Sequence, residues 1–597
     1  MPSTTLARSI GADAVVASDR DWTVDLALFR LVFLGGIALP FAWRALRWTQ
    51  AVMPDLPRDA WVPISFFALI PPSVLANAEL AWWLAAVDCG LIVLAFFGVL
   101  TRWTLATATL LSLYVFGLTN NLGKVDHNHH IVWFMALLAV GPSACFLSVD
   151  AIVAGIRTAD RGGIDPRVPP GTALATFRGI WLLFGLVYLG PGVAKLASAV
   201  TQEWSSAANL RLIVWEQWFV HSLYHPGYTP PSWVGALPSW IFVTAGIAAI
   251  AFEIGFVCLV FVRAARPFLI VAGLFFHAMN GLVLAIWFGF LVPAYAALID
   301  WVAVGRRLVG DSALLILYDG NCRVCRRAIA ILRSLDALDT MTALPGTTDD
   351  PRRREYADVT DEMLAHDIWV LEGGRRSQGF DAYRRIALRL PLLWPIAVLM
   401  TVPGVASVGR RIYRRVADAR TCRIREPPLA VTAAPRQSFR GVIAVAAALV
   451  ASELVVSGLR IALPTTPVPV WPFDVYPTFA SIRPAEKAIW EPRLVLTDGR
   501  ELELSPRAWA RAFGWPATCG RVGDGILREV DPERRRTRSL EAAALLWRGE
   551  PAESRTQSTA VAVYEARYTL GPVPKRVADT PLYRFTLDEL ASVQASS

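Results

Sequence analysis

Apolar segments of bilayer length dominate this 597-residue chain. A hydrocarbon core about 30 Å thick is crossed by a helix of about 20 predominantly apolar residues. Segments of this kind lie near residues 24–43, 80–100, 104–119, 131–150, 176–198, 238–262, 267–284 and 285–303. A ninth runs from 441 to about 463. The pattern therefore predicts a polytopic helical membrane protein.

The positive charge of the chain lies beside these segments. The 58 basic residues include four Lys, which leaves 54 Arg, and the formal net charge is +9. Arginines fall in alternate connections, for example at Arg102, Arg157, Arg263 and Arg306. Cytoplasmic connections are enriched in Lys and Arg, so we expect these connections and the N-terminus to be cytoplasmic. Charge placed in this way indicates membrane orientation and gives no sign of a nucleic-acid partner.

Composition divides the chain into five parts. We predict an N-terminal tail at 1–19, a membrane body of about eight spans at 20–304, and a soluble, Arg-rich insert at 312–423 that mixes strand and helix signals. A further transmembrane helix at 441–463 leads to a C-terminal part at 464–597. The orientation above makes the insert cytoplasmic and the C-terminal part extracytoplasmic.

The C-terminal part has the pattern of a small α+β domain. RLVLTDGRELEL alternates apolar and polar residues on both sides of Asp498-Gly499, a dipeptide typical of a hairpin turn. PRAWARAF and SLEAAALLW have the spacing of helices.

Lys195 ends the apolar run GIWLLFGLVYLGPGVAKL. A buried amine is costly to keep charged and readily loses its proton, which allows a lysine to act as a base. An ionisable residue inside a membrane indicates a functional site by default. The structural alternative is a lysine whose amine snorkels to the lipid interface, and this segment by itself leaves both interpretations open.

Histidines and further charges also lie in the membrane body. DHNHH at 126–130 precedes the fourth segment, and His277 lies within LFFHAMNGLVLAIWF. DHNHH lacks the i, i+4 spacing of a helical metal pair, so no metal site is predicted there. On its pattern alone, His277 is better explained as a core histidine bonded to a neighbouring helix. Asp88, Glu253 and Arg30 are expected to pair with one another or with backbone carbonyls.

Four motifs, in order, resemble the HTTM domain and its relative, the vitamin K-dependent γ-glutamyl carboxylase. The resemblance covers residues 20–304. The motifs are LALFRLVF (26–33), NHH (128–130) followed by Ser148-Val149-Asp150, GVAKL (192–196) followed by Trp204, and FHAMN (276–280).

This resemblance implies a redox site in the membrane body. Lys195 would be the base that deprotonates a reduced quinone of the vitamin K hydroquinone type. Asn128 would hold the amine, and His129 and His277 would support the later steps. In that family oxygen then adds to the quinol, the resulting alkoxide removes a glutamate γ-proton, and carbon dioxide traps the carbanion. The implied cofactors are a reduced quinone, with oxygen and carbon dioxide if carboxylation is retained, and no metal.

Cys322 and Cys325 form a Cys-x-x-Cys motif at the predicted start of a helix, in LLILYDGNCRVCRRAIAILRSLD. The helix N-terminus and the neighbouring arginines favour a thiolate at Cys322. The alternative interpretation is that the motif is half of a zinc site. However, the insert contains no second Cys-x-x-Cys motif, and it contains a single histidine, His366. The other cysteines are expected to be core residues or isolated thiols, at Cys89, Cys145, Cys258, Cys422 and Cys519.

Tyr-Asp-Gly-x-Cys-x-x-Cys resembles the DCC family of thiol–disulfide oxidoreductases, which are thioredoxin-like. The resemblance extends through DIWVLEGG and GFDAYRRIALRL to the apolar stretch that ends at residue 420, and covers about 314–422. It implies that Cys322 is the attacking thiolate and that Cys325 is the resolving thiol, shielded behind it. It also implies that 390–420 forms an amphipathic closing helix and not a span.

Together these features predict a multi-domain protein of the bacterial cytoplasmic membrane. An α-helical membrane bundle is joined to an α/β thioredoxin-like domain, one further span and a small α+β domain. The expected function is that of a membrane redox enzyme that uses a quinol and a dithiol, with lipid, quinone and a cytoplasmic thiol or disulfide protein as partners. The alternative is a membrane binding or scaffold protein whose body has lost catalysis and whose activity is thiol–disulfide exchange alone.

Overall fold

The computed structural model describes residues 21–56, 61, 63–122, 128–161, 171–225, 227–309, 314–338, 340–346, 348, 350–419, 439–462, 471–473, 479–513 and 516–593. The helices of the membrane body are α1 (Asp21–Ala51), α2 (Ala78–Phe97), α3 (Thr101–Val115), α4 (His129–Val140), α5 (Val149–Asp160), α6 (Thr172–Gln202), α7 (Ala207–Tyr224), α8 (Ser239–Leu259), α9 (Arg266–Leu284) and α10 (Trp301–Val309).

Several helices are long and apolar enough to cross a membrane, as the sequence predicted. Within the described part of the chain there are seven: Asp21–Ala51, Ala78–Phe97, Thr101–Leu122, Thr172–Val200, Ser239–Leu259, Arg263–Leu284 and Phe439–Leu459. Between 17% and 56% of the most apolar stretch of each helix is buried inside the protein, so a large part of their surface faces outward, as expected of helices solvated by lipid.

The expectation of a regular helical span at 131–150 is wrong. Helix α4 has 12 residues, about 18 Å at 1.5 Å per residue, and the chain beyond Gly141 is irregular. Arg30 stabilises that irregular stretch, since its guanidinium donates to the carbonyls of Ser143 at 2.7 Å and Leu147 at 2.6 Å. The predicted pairing of Arg30 with backbone carbonyls is confirmed.

The expectation of a helical span at 285–303 is also wrong. The chain turns back after α9 and runs antiparallel to it without forming a long helix. Trp287 packs where Gly281 lacks a side chain, and Tyr295 packs against Gly273. Asp300 pairs with Arg263, at the other end of α9. Residues 294–298 are buried, and irregular backbone at membrane depth is tolerated where protein covers it.

The insert is an α/β domain, as predicted. Its sheet has the order β2-β1-β3-β4, with β1 and β2 parallel and the other pairs antiparallel. Its elements are β1 (Leu314–Tyr318), α11 (Arg323–Leu335), β2 (Met341–Pro345), the single turn Pro351–Arg354, α12 (Asp361–His366), β3 (Trp369–Glu372), β4 (Arg375–Gln378), α13 (Gly379–Arg389), α14 (Trp394–Thr401) and α15 (Pro403–Asp418).

The last apolar helix, α16 (Phe439–Ala462), leads to the predicted α+β domain. Its antiparallel sheet has the order β6-β5-β7-β8. Gly499 turns the β5–β6 hairpin with φ of 82°, a conformation that glycine adopts without strain. The elements are β5 (Glu486–Leu496), β6 (Glu501–Glu503), α17 (Pro506–Phe513), α18 (Pro516–Arg528), α19 (Pro532–Gly549), the short turn Ala552–Thr556, β7 (Ser558–Thr569), β8 (Lys575–Thr586) and α20 (Leu587–Ser592).

The two soluble domains lie at opposite ends of the helical body. The α/β domain docks on α5, where the Leu147 amide donates to the Ser334 carbonyl at 3.0 Å. The α+β domain docks on α7, where Lys487 pairs with Glu216 at 2.8 Å. Helix α5 precedes α6 and α7 follows it, and the 31 residues of α6 span about 46 Å.

Candidate functional site

The cysteine motif lies where strand β1 passes into helix α11. The Asp319 carboxylate accepts from the Asn321 amide at 2.9 Å, and the Asp319 carbonyl accepts from the Cys322 amide at 3.2 Å. This tight turn makes Cys322 the N-cap residue of α11, and Arg326 returns an amide hydrogen bond to its carbonyl at 3.0 Å. The predicted placement at a helix N-terminus is confirmed.

Both cysteines are buried. Cys322 is 0% exposed and Cys325 is 4% exposed, and both belong to the apolar core of the domain. The prediction that Cys325 is shielded is confirmed, but Cys322 is shielded as well. The structure therefore does not have an exposed attacking cysteine in front of a buried resolving cysteine.

Cys322 is disulfide-bonded. Cys422 lies outside the described residues. In the C-terminal domain, burial raises the pKa of Cys519 to about 12, which makes it an inert thiol at neutral pH.

A carboxylate from the membrane body lies beside the motif. Asp160, the last residue of α5, accepts two hydrogen bonds from Arg327, at 2.7 and 2.6 Å, and two from Arg323, at 2.9 and 3.1 Å. The hydrogen bonds from Arg327 and then Arg323 hold the pKa of Asp160 well below its usual range. Two of the arginines that were expected to favour a Cys322 thiolate are therefore largely neutralised. The sequence gives little sign of this, because the partners are more than 160 residues apart.

A second cluster of polar groups lies inside the helical body, around Lys195. Its amine is 2.5 Å from Oε1 of Glu253 on α8, and both residues are buried, at 5% and 3% exposure. Gly192, one turn before Lys195, allows the close approach, because a Cβ there would be 2.9 Å from Cβ of Glu253. Glu253 was expected to pair with another charge, but not with the candidate base.

His277 bonds to two tyrosines beside this ion pair. Its Nε2 lies 2.7 Å from the hydroxyl of Tyr188, which is 2.6 Å from the hydroxyl of Tyr295. Tyr188 lies seven residues before Lys195, two turns along the same face of α6. The prediction of a core histidine bonded to a neighbouring helix is confirmed. The tyrosines were missed, since a tyrosine in an apolar run has no distinctive pattern.

Asn128 and His129 lie in a different setting. Asn128 donates to the Phe116 carbonyl at 3.2 Å, and the His129 ring packs on Trp133 with centroids 4.5 Å apart. Trp133 in turn stacks on Phe473, from the segment after α16. The hydrogen bond of the Lys195 amine goes to Glu253 on α8. The expectation that Asn128 holds this amine stays a prediction.

Two buried polar atoms of the Lys195 cluster have no hydrogen-bond partner among the described residues. They are Oε2 of Glu253 and Nδ1 of His277. A buried polar atom without a partner is costly, so these two can accept or donate a hydrogen bond to a ligand hydroxyl or carbonyl. Elsewhere, the described residues contain no group of three or more His, Cys, Asp or Glu side chains arranged to hold a metal ion.

Comparison with known proteins identifies one part of the chain. The family model of the DCC1-like thiol-disulfide oxidoreductases matches residues 316–425. This match begins within β1 and includes the cysteine motif and the helices up to α15. No curated protein and no solved structure matches the chain. The resemblance of residues 20–304 to the γ-carboxylase-like domains stays a prediction.

Proposed function

We propose that this chain is a membrane-bound thiol–disulfide oxidoreductase whose DCC1-like domain exchanges disulfides through Cys322 and Cys325. The observation that carries the proposal is the Cys-x-x-Cys motif at the N-terminus of α11, inside the stretch that the family model of the DCC1-like thiol-disulfide oxidoreductases matches. In such a motif Cys322 attacks a substrate disulfide, and Cys325 resolves the mixed disulfide that forms.

The resolving step balances without an added oxidant or reductant. Once Cys322 is joined to a partner sulfur, the Cys325 thiolate attacks Sγ of Cys322, and the bond between Cys322 and the partner sulfur breaks. That partner leaves as a thiolate and takes up the proton that Cys325 lost. Cys322 and Cys325 are then joined, and the partner sulfur is reduced. In the reverse step a partner thiolate attacks Sγ of Cys322 in the Cys322–Cys325 disulfide, a bond forms between the partner sulfur and Cys322, and Cys325 leaves as the thiolate.

The test follows the two sulfurs separately in the full-length protein. We expect Cys325→Ser to accumulate a mixed disulfide at Cys322 in a glutathione redox buffer, detected by mass spectrometry of non-reduced peptides. Cys322→Ser should abolish exchange with a model disulfide, and Cys258→Ser, outside the domain, should leave it unchanged. Exchange at the parent rate in Cys322→Ser would refute the assignment.

We propose a second activity for the membrane body, in which the Lys195–Glu253 pair accepts a proton from a reduced quinone. The buried pair and the two partnerless atoms of Glu253 and His277 support it. A bound hydroquinone would supply phenolic hydroxyls and a pair of electrons. Nζ of Lys195 would take the phenolic proton, and the Glu253 carboxylate would stabilise the ammonium that forms. Nδ1 of His277 is placed to bond the ligand's oxygen.

This second activity is tested with vitamin K hydroquinone and the purified protein. The product to measure is the epoxide, with and without a glutamate-containing peptide and labelled carbon dioxide. Lys195→Arg should lose it, because guanidinium keeps its proton in the working pH range. A small amine should partly restore it in Lys195→Ala. Lys487→Arg, which alters an ion pair in the C-terminal domain, is the matched control.

The two activities have no direct contact in this architecture. Lys195 lies in the last third of α6, whereas the cysteine motif docks on α5, before the start of α6. Cooperation between the sites therefore needs a mobile carrier, for which a lipid-soluble quinone is suited. Quinol turnover at the wild-type rate in Lys195→Arg would refute the proposal of the second activity and would not bear on the proposal of the first.

A further inference from the structure

The face formed by helices α14 and α15 is unlike the rest of the DCC1-like domain. The two helices meet at Val402 with a bend of 102°. Val402 is extended because Pro403 follows it, and the residue before a proline avoids the helical region. The outer surface of this elbow carries large apolar side chains that are at least 44% exposed: Leu392, Trp394, Ile396, Val398, Leu399, Val402, Val405, Val408, Ile412 and Val416.

Helix α15 has three distinct faces. Its inner face packs on the domain, where Gly409 contacts Phe380 and the Tyr413 ring lies 5.9 Å from Tyr383. The apolar face is formed by Val405, Val408, Ile412 and Val416, at the spacing of successive helical turns. It lies beside the inner face and does not contribute to the core of the domain.

The third face of α15 is basic. Arg411, Arg414 and Arg415 are exposed there, and Arg411 and Arg415 immediately precede Ile412 and Val416 along the chain. An apolar stripe flanked by arginines is the pattern of a helix that lies in the plane of a membrane interface. A soluble monomer rarely exposes an apolar patch of this extent.

We propose that the α14–α15 elbow inserts into the lipid leaflet next to the DCC1-like domain, with its apolar face in the acyl chains and its arginines among anionic headgroups. The occupant is lipid because the bilayer is already adjacent: α10 ends at Val309 only a few residues before β1, and the domain docks on α5 of the helical body. Trp394, at the start of α14, is a residue typical of the headgroup level.

The elbow would have a consequence for the dithiol, beyond the proposed exchange chemistry. Together with the Asp160 contact it would hold the domain, and with it the cysteine motif, at two places beside the membrane. The proposal does not depend on either proposed activity, because it concerns lipid contact alone.

The test uses the full-length protein in nanodiscs with nitroxide labels at single introduced cysteines, after subtraction of the signal of the labelled parent. In nanodiscs containing phosphatidylglycerol, Val398→Cys and Ile412→Cys should be accessible to oxygen and protected from a water-soluble nickel chelate. Arg375→Cys, on the exposed strand β4, should show the opposite order. Ser407→Cys, on the basic side of α15, should be intermediate.

Replacing Arg411, Arg414 and Arg415 by Glu should shift the Ile412 label towards water, and a disc of phosphatidylcholine alone should produce a smaller shift in the same direction. Equal nickel accessibility at Ile412, Val398 and Arg375 would overturn the proposal. Protection of Ile412 from both reagents, with spin–spin broadening between labels, would also overturn it and would show a second copy of the chain on this face.

Discussion

At the scale of single residues, Asp160 links the membrane body to the electrostatics of the cysteine motif. Its carboxylate is 24% exposed and engages Arg323 and Arg327. The charge that the arginines would lend to a Cys322 thiolate is thereby reduced, and the helix N-terminus remains as the main stabilising influence.

Asp160→Asn should therefore stabilise the reduced, thiolate form of Cys322. We expect a change of about two- to fivefold in the equilibrium with glutathione, the usual size of a single exposed charge near a helix terminus. Quantitative alkylation with mass spectrometry measures it. Asp498→Asn, which breaks an exposed Asp–Arg pair far from the motif, should have no effect. A shift towards the disulfide would contradict this account of the charges.

The same contact predicts an acid dependence for docking. The folded-state pKa of Asp160 is depressed by Arg327 and Arg323, so its contribution to stability is complete above the unfolded value of about 3.9. It is lost as pH falls below that value towards the depressed pKa. The amide hydrogen exchange of α5 and α11, expressed relative to the intrinsic rate at each pH, should therefore become faster in acid. Asp160→Asn should lack this component, and an unchanged acid response in the variant would argue against the contact.

At the scale of elements, α6 and α8 approach closely because α6 presents glycines. A Cβ at Gly185 would lie 2.7 Å from Cγ2 of Val257, and one at Gly192 would lie 2.9 Å from Cβ of Glu253. Small residues are enriched where membrane helices pack closely. Here the close packing also sets the distance between Lys195 and Glu253.

Gly192→Ala should consequently destabilise the helical body by about 1–3 kcal/mol, the usual cost of overpacking. It should also reduce quinol turnover if the Lys195 pair is the base. Gly90→Ala, on α2, is the matched control, because a Cβ there meets nothing within 4 Å. Thermal unfolding in one detergent compares the two. Equal melting temperatures would show that α6 and α8 do not pack as described.

At the scale of the whole molecule, the two soluble domains lie at opposite ends of the helical body. This arrangement agrees with the alternation of arginines along the sequence. The segments 131–150 and 285–303 both return the chain to the end where the DCC1-like domain docks. At the end of the first, the Asp150 amide donates to the Gly98 carbonyl, and at the end of the second, Asp300 pairs with Arg263. Which end faces the cytoplasm is the prediction that the arginines make.

Labelling of intact cells tests that orientation. A membrane-impermeant maleimide should label a cysteine at Arg500, in the C-terminal domain, without lysis. It should label a cysteine at Arg375, in the DCC1-like domain, only after permeabilisation. Both positions are exposed, so failure to react reflects the membrane and not burial. Labelling of both without lysis would refute a crossing by α16.

The sequence by itself determined those features that depend on local pattern and length. The approximate positions of seven long apolar helices, the hairpin at Gly499, and the cysteine motif at the start of α11 follow from periodicity, turn chemistry and span length. The family match at 316–425 agrees with the motif read from its residues.

Tertiary structure alone decided the partners of the charged and polar groups. Lys195 pairs with Glu253, and Asp160 reaches Arg323 and Arg327 across more than 160 residues. Residues 131–150 and 285–303 were predicted as helical spans because they have the apolar composition and length of a span. Composition and length do not report the conformation of the backbone. Their irregular backbone is stable because other elements bury it and supply hydrogen bonds, as Arg30 does for Ser143 and Leu147. Such contacts depend on how helices pack, and contacts between residues that are far apart in the chain produce no periodic pattern in the sequence.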